Sequence, residues 1–111
     1  EGGRDQLNGG GGEDTLDGGS GRDLLKGGEG ADTFVFASGY GADVVTDYST
    51  GEDQLMLEAA LLGGRAEGLA IVQAFAKVTN DGVQFDFGDG DTLALNGVTS
   101  LAGLADDISI I

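Results

Sequence analysis

Aspartates recur at a fixed interval along the first third of this 111-residue chain. Asp5, Asp14, Asp23 and Asp32 lie nine residues apart, and each is followed two places later by a large apolar residue: Leu7, Leu16, Leu25 and Phe34. A regular structure with a matching period brings such carboxylates to a common edge, where they repel one another unless a cation sits between them. The chain contains no histidine and no cysteine. Zinc sites of the usual kind, disulfides, thiolate ligation and histidine-based acid–base catalysis are therefore excluded. What remains is an all-oxygen donor set, which suits a hard cation.

The elements that must present these carboxylates follow from the glycines. Residues 9–35 are three successive nine-residue units, GGGGEDTLD, GGSGRDLLK and GGEGADTFV, opened by Gly9, Gly18 and Gly27, with a truncated copy ahead of them around Gly3. Glycine every few residues costs roughly 1 kcal/mol each in a helix, and paired glycines mark tight turns rather than a long strand. A six-residue turn followed by a three-residue strand fits every position, and two units then complete one 18-residue coil of a flattened solenoid. The apolar residue of each unit points inward and its neighbours point out. One inward Leu per unit contributes roughly 1.5–3 kcal/mol, whereas fixing each backbone residue costs about 1–2 kcal/mol. The core of this stretch is too thin to hold it, so something outside the chain must help. Units two apart share an edge, which stacks Asp5 on Asp23 and Asp14 on Asp32 at about the spacing of neighbouring strands, ~5 Å. Turn carbonyls facing up and down into the same gap complete a set of six or more oxygens, a calcium site rather than a magnesium one.

Gly-Gly-x-Gly-x-Asp-x-apolar-x resembles the RTX (haemolysin-type) calcium-binding nonapeptide repeat. The resemblance implies an all-β fold, a parallel β-roll (a right-handed calcium solenoid), several bound Ca2+ ions, and an extracellular, secreted bacterial protein. It also implies ligand sets. One site takes Gly10, Gly12 and Asp14 with Gly27, Glu29 and Asp32. The site before it takes Glu1, Gly3 and Asp5 with Gly18, Ser20 and Asp23, where Glu1 stands in place of the usual glycine and Arg4 and Arg22 replace the common Asn or Asp. Further along the array degrades. Gly41, Asp43 and Val45 echo a fifth turn, with Asp43 closing a site above Gly19, Gly21 and Asp23. Gly51, Asp53 and Leu55 echo a sixth, facing Gly28, Gly30 and Asp32, with Asp47 as the alternative ligand.

From residue 58 the composition shifts, which divides the chain into a roll over 1–57 and a capping segment over 58–111. Within residues 58–69, EAALLGGRAEGL, a short helix is expected before Gly63-Gly64. AIVQAFAKVT, residues 70–79, alternates as a strand; Asn80-Asp81-Gly82 is a hairpin turn signal; VQFDF returns; and Gly88-Asp89-Gly90 turns into DTLALNGV. Ser100 reads as the N-cap of a short helix, and ISII closes as a strand. Such antiparallel strands cap the open end of a solenoid, and are expected to cover Leu24, an outward residue. The ending Asp106-Asp107-Ile108-Ser109-Ile110-Ile111 resembles the C-terminal motif of type I secretion substrates such as the serralysin proteases, with Ser109 interrupting the apolar run.

Twenty acidic against five basic residues give a formal charge of −15. That argues against nucleic acid and anionic membranes as partners and favours cations. No apolar run reaches the length of a membrane span, and the chain, beginning at Glu1 inside a repeat, reads as part of a longer protein. No dinucleotide or P-loop glycine motif is present, no EF-hand order of ligands occurs, and carboxylates that recur along a ladder do not form a glycosidase pair. The expected function is a non-catalytic, calcium-dependent folding and stabilising module at the end of a secreted protein. Its partners would be calcium, the type I secretion machinery and an upstream domain. The alternative is a polysaccharide-binding or cell-surface module, for which Arg4, Arg22 and Lys26 are the basic residues in reach.

Overall fold

The computed structural model describes residues 6–17, 19–37, 39–49, 52–62, 67–88, 90–98, 100–101 and 103–111. Its first six strands are short: β1 (Gln6–Asn8), β2 (Thr15–Asp17), β3 (Leu24–Lys26), β4 (Thr33–Phe36), β5 (Ala42–Val45) and β6 (Gln54–Leu57). Successive strands alternate between two faces. Odd-numbered strands stack in parallel on one face and even-numbered strands on the other. This is the expected parallel β-roll. Each strand is short because a glycine turn interrupts it, and each buries its central apolar residue: Leu16 and Leu25 lie inside while the residues flanking them face solvent.

The chain then leaves the roll. A 3-10 turn at Ala59–Leu61 leads, through undescribed residues, to the helix α1 (Gly68–Phe75), followed by β7 (Ala76–Val78), β8 (Gly82–Gly88) and β9 (Asp91–Asn96). β7, β8 and β9 pair antiparallel through the hairpin expected at residues 79–81. β9 lies parallel on β5, and β10 (Ile108–Ile110), reached through a 3-10 turn at Leu104–Asp107, lies parallel on β6. The two ladders of the roll thus run past residue 57: the last coil is built from β9 and β10, and the β7–β8 hairpin widens one face to six strands.

Three readings of the C-terminal half need correction. Residues 70–75 belong to the helix rather than to a strand, and only Ala76–Val78 of the alternating run is extended. Ile71, Val72 and Phe75 would divide between the two sides of a strand but share one face of a helix, and that face packs into the core while Gln73 and Ala74 stay outside. Gly68 makes the close approach possible, since a Cβ there would overlap the Ala105 carbonyl. The final short helix is a 3-10 turn entered at Gly103, whose φ is 84°, and not an α-helix capped by Ser100. Leu24 is not covered; it remains 37% exposed because the hairpin extends the sheet sideways instead of folding over it.

The core grows thicker toward the C-terminal half. Phe34, Phe36, Leu55, Leu57, Leu62, Ile71, Phe85, Leu93, Leu95 and Leu104 are all fully buried. Phe87 stacks on Phe36 and Phe85 with ring centroids 5.7 and 5.9 Å away, within the range where aromatic pairs attract. The Tyr48 hydroxyl lies 2.9 Å from Asp107 Oδ2 and 3.0 Å from the Asp53 carbonyl, tying the C-terminal segment to the top of the roll. Among the described residues no helix is long and apolar enough to cross a membrane.

Candidate metal centre

The turns stack along two edges. One carries residues 9–14, then 27–32, then 46–49 with 52–53; the other carries 19–23, then 39–43, with Asp91 above. Register places Asp14 beneath Asp32 and Asp32 beneath Asp53 on the first edge, and Asp23 beneath Asp43 on the second. One oxygen of each upper carboxylate accepts the N–H of the aspartate below it: Asp14 to Asp32 at 3.0 Å, Asp32 to Asp53 at 2.9 Å and Asp23 to Asp43 at 3.0 Å. That bond fixes each carboxyl group and aims its second oxygen elsewhere. The Oδ2 atoms of Asp14, Asp32 and Asp43 are buried with no hydrogen-bond partner. An orphaned buried carboxylate oxygen carries a desolvation cost that protein structures seldom leave uncompensated.

The backbone supplies the remaining donors. Gly28 and Gly30 have φ of 85° and 96°, left-handed values that flip successive carbonyls to opposite sides of the turn. Their α-carbons lie against the turn beneath. A Cβ on Gly28 would overlap the Gly10 carbonyl oxygen, and one on Gly30 would come within 2.5 Å of that of Gly12. The Gly27 carbonyl reaches the other way, 2.8 Å from a Cβ built on Gly9, which would also meet Asp14 Oδ2 at 2.6 Å. Carbonyls from below and above thus enter one gap together with the orphaned oxygens of Asp14 and Asp32. On the second edge the Gly21 carbonyl meets Gly41 in the same way, 2.6 Å from a Cβ there, beneath the orphaned oxygen of Asp43. Among the described residues no three acidic, His or Cys side chains gather into a side-chain cage. The donors are mostly carbonyls, and the donor set of hard oxygens fits calcium.

Electrostatics point the same way. Burial pushes the Asp43 carboxyl up to about 7, against the lowering effect of the Asp23 N–H and with the charge of Asp23 adding to the rise. Burial likewise raises Asp32, opposed by the Asp14 N–H and reinforced by the charges of Asp53, Asp14 and Asp47. A carboxyl group resists ionisation in this way when no counter-charge is near. An acidic cleft of about 340 Å³, lined by Glu13, Asp14, Asp32 and Glu52, opens along the first edge. A larger groove, about 680 Å³, lies instead on the outer face of the odd-numbered strands, with Asp43 of the ladders in its lining.

The structure therefore brings Gly10, Gly12, Asp14, Gly27 and Asp32 together at one gap and Gly21, Asp23 and Asp43 at another, with Glu29 and Gly19 in the turns that frame them. Asp53 is engaged at both oxygens, by the N–H groups of Asp32 and Ser49. Asp47 is engaged at both by Gly27 and Gly28. The site assigned to Glu1, Gly3, Asp5 and Gly18 lies outside the described residues, as does Gly51; Ser20 is exposed in its turn.

These features are those of a known repeat. The profile of the RTX calcium-binding nonapeptide repeat (4 copies) matches residues 1–34 and again 8–41. The C-terminal domain (RV) of MpAFP, known from a crystal structure, is 30% identical, with the similarity spanning 95% of this chain and 90% of that one at a TM-score of 0.56. The chain belongs to the RTX calcium-binding repeat family. No curated protein matches it. RTX nonapeptide repeats bind calcium, and the orphaned carboxylate oxygens here are the atoms such an ion would meet.

Sequence reasoning missed Asp91, whose two oxygens accept the N–H groups of Gly39 and Gly41 at 3.1 Å each. A signal was present: Gly88, Gly90, Asp91 and Leu93 are a contracted copy of the repeat. It also missed the ninth place of the unit, where Asn8 and Asp17 each accept the N–H of the glycine two residues on.

Proposed function

We propose that this RTX domain is a non-catalytic, calcium-dependent folding and stabilising module at the C-terminal end of a secreted bacterial protein. In this reading it leaves the cell unfolded by type I secretion and folds outside. The observation that carries the reading is the buried Oδ2 atoms of Asp14, Asp32 and Asp43, which have no hydrogen-bond partner in the protein. Two gaps, between Asp14 and Asp32 and between Asp23 and Asp43, hold the ions. At free calcium 100 times Kd each ion adds roughly 2.7 kcal/mol, and well below Kd almost nothing. Low calcium inside the cell leaves the acidic turns self-repelling and loose, and higher calcium outside closes them. Similarity to a C-terminal domain supports the placement at the end of a longer protein, and the acidic-then-apolar ending 106–111 supports the export route. The test is circular dichroism with calcorimetric calcium titration: chelation should remove β signal reversibly, and a spectrum indifferent to chelator would sink the proposal.

A second reading has one observation in its favour. The 680 Å³ groove on the outer face is lined by Gln6, Arg22, Gln84, Thr92 and Asn96, side chains able to hydrogen-bond sugar hydroxyls. Titration with polysaccharide oligomers at saturating calcium separates this role from folding alone.

A further inference from the structure

The N–H of the second glycine in each turn finds an acceptor in every turn described, but not always the same kind. In the turns at Gly10 and Gly19 the acceptor is local: Asn8 Oδ1 at 3.1 Å and Asp17 Oδ1 at 3.0 Å, each two residues back. At Gly28 and Gly39 the residues two places back are Lys26, which can only donate, and Ala37, which can do neither. There the acceptor arrives from the coil above. Asp47 accepts Gly27 N–H at 3.0 Å and Gly28 N–H at 2.9 Å. Asp91 accepts Gly39 and Gly41 N–H, both at 3.1 Å.

The clasped glycines are the ones that build the gaps. The Gly27 carbonyl enters the Asp14–Asp32 gap, Gly28 sits on the Gly10 carbonyl, and Gly41 sits on the Gly21 carbonyl. We infer that Asp47 and Asp91 are positioning residues for calcium rather than ligands, each a distant replacement for the missing local Asn or Asp; the inference rests on the calcium reading above. A carboxylate on the N–H side of a turn and a cation on its carbonyl side polarise the same peptide groups in the same sense, so each strengthens the other. The clasp also removes conformational freedom that a glycine turn otherwise loses on ion binding. The two edges are served differently. Asp47 comes from the connection between β5 and β6, close to the turn it holds, whereas Asp91 opens β9, 50 residues beyond Gly41. Calcium at the Asp23–Asp43 edge therefore depends on the C-terminal half having folded.

The experiment uses the 111-residue chain with Asp47→Asn and Asp91→Asn, titrated with calcium by calorimetry and by amide NMR. Asn keeps one acceptor and loses the charge. A positioning role leaves the number of bound ions at the wild-type value and weakens one edge about tenfold, as expected for losing charge-assisted hydrogen bonds. Asp47→Asn should shift the transitions of Gly10, Gly12 and Gly27 to higher calcium, and Asp91→Asn those of Gly19, Gly21 and Gly41. Restoring a local acceptor should recover the affinity, by Lys26→Asn in the first variant and Ala37→Asp in the second. Loss of an ion from the stoichiometry, equal weakening of both edges, or unchanged affinities would each overturn the inference. If Asp91→Asn does not fold at any calcium concentration, the Ala37→Asp, Asp91→Asn pair decides: recovery supports the positioning role and continued failure overturns it. A wild-type chain that binds no calcium would overturn the calcium reading, and this inference with it; calcium binding by the wild type with indifferent variants overturns this inference alone.

Discussion

Residues 6–33 and residues 54–111 use the same two sheets but are held by different forces. In the first stretch each strand of three residues buries one apolar side chain, and its turns carry buried aspartates with unpartnered oxygens. In the second, strands of up to seven residues, a helix and two 3-10 turns surround a core of Leu57, Leu62, Ile71, Phe85, Leu93, Leu95 and Leu104. One region buries little apolar area per strand and lines its turns with carboxylates; the other closes on hydrophobic burial. In the proposed reading the first depends on ions and the second is the ion-independent end from which the roll grows. That end is wired to the ion sites through Asp91 and through the Tyr48–Asp107 contact.

Removing calcium should break this symmetry most visibly. Losing two ions, each worth roughly 2.7 kcal/mol at 100 times Kd, should release the amides of residues 9–33 to fast hydrogen exchange. Those of β8, β9 and α1 should stay protected. Uniform loss of protection across both regions would show that the C-terminal half has no stability of its own. The converse substitution strikes the other region: Phe85→Ala removes a fully buried ring and should cost about 3–5 kcal/mol. In the proposed reading the roll grows from this end, so the substitution should abolish calcium-induced folding of the N-terminal turns as well. A variant that still folds its roll on calcium addition would separate the two regions.

A smaller and more local effect is expected from Gly28→Ala. The residue sits at φ 85° and its Cβ would overlap the Gly10 carbonyl. The left-handed backbone alone costs roughly 1–2 kcal/mol, and the overlap displaces one calcium donor. The Asp14–Asp32 edge should lose its ion while the Asp23–Asp43 edge keeps its own, which calorimetric stoichiometry reads directly. Loss of both ions would mean that the edges are one cooperative unit.

The two regions also differed in how far their sequence announced them. Strict periodicity made the first legible: Leu16, Leu25 and Phe34 are inside, and Asp14 stacks beneath Asp32, as the nine-residue spacing requires. Glycines at fixed places admit the left-handed turns and disfavour helix and long strand, so the local pattern marks each turn and strand of the coil. The second region has no such period. Residues 70–79 can be written as an alternating run, but Ile71, Val72 and Phe75 share a face only in a helix, which docks where Gly68 closes on Ala105. The parallel return of β9 onto β5 spans the whole 58–90 excursion, so nothing local encodes it, and with it the role of Asp91 was out of view.

The gentlest probe of the comparison is pH, because it acts on the ladder and spares the apolar core. Burial holds the Asp43 carboxyl up at about 7 in the ion-free fold, against about 3.9 in an unfolded chain. Below the lower value both states carry the proton and the fold keeps its full stability. As pH rises toward 7 the unfolded chain gives up that proton while the fold retains it, so stability is lost progressively across this interval and stays lost above it. Ion-free protein should therefore hold more β structure at pH 5 than at pH 8, in the turns around Asp23 and Asp43 and, because burial raises Asp32 as well, in those around Asp14 and Asp32. Calcium reverses the sign: a cation beside the carboxylate favours its charged form, and the loaded roll should weaken on acidification. Substituting Asp43→Asn removes the titrating group of one edge and should flatten the ion-free response of the Asp23–Asp43 turns while leaving that of the Asp14–Asp32 turns. An ion-free domain that grows steadily less stable as pH falls from 8 to 5 would place the dominant charge effect elsewhere in the chain.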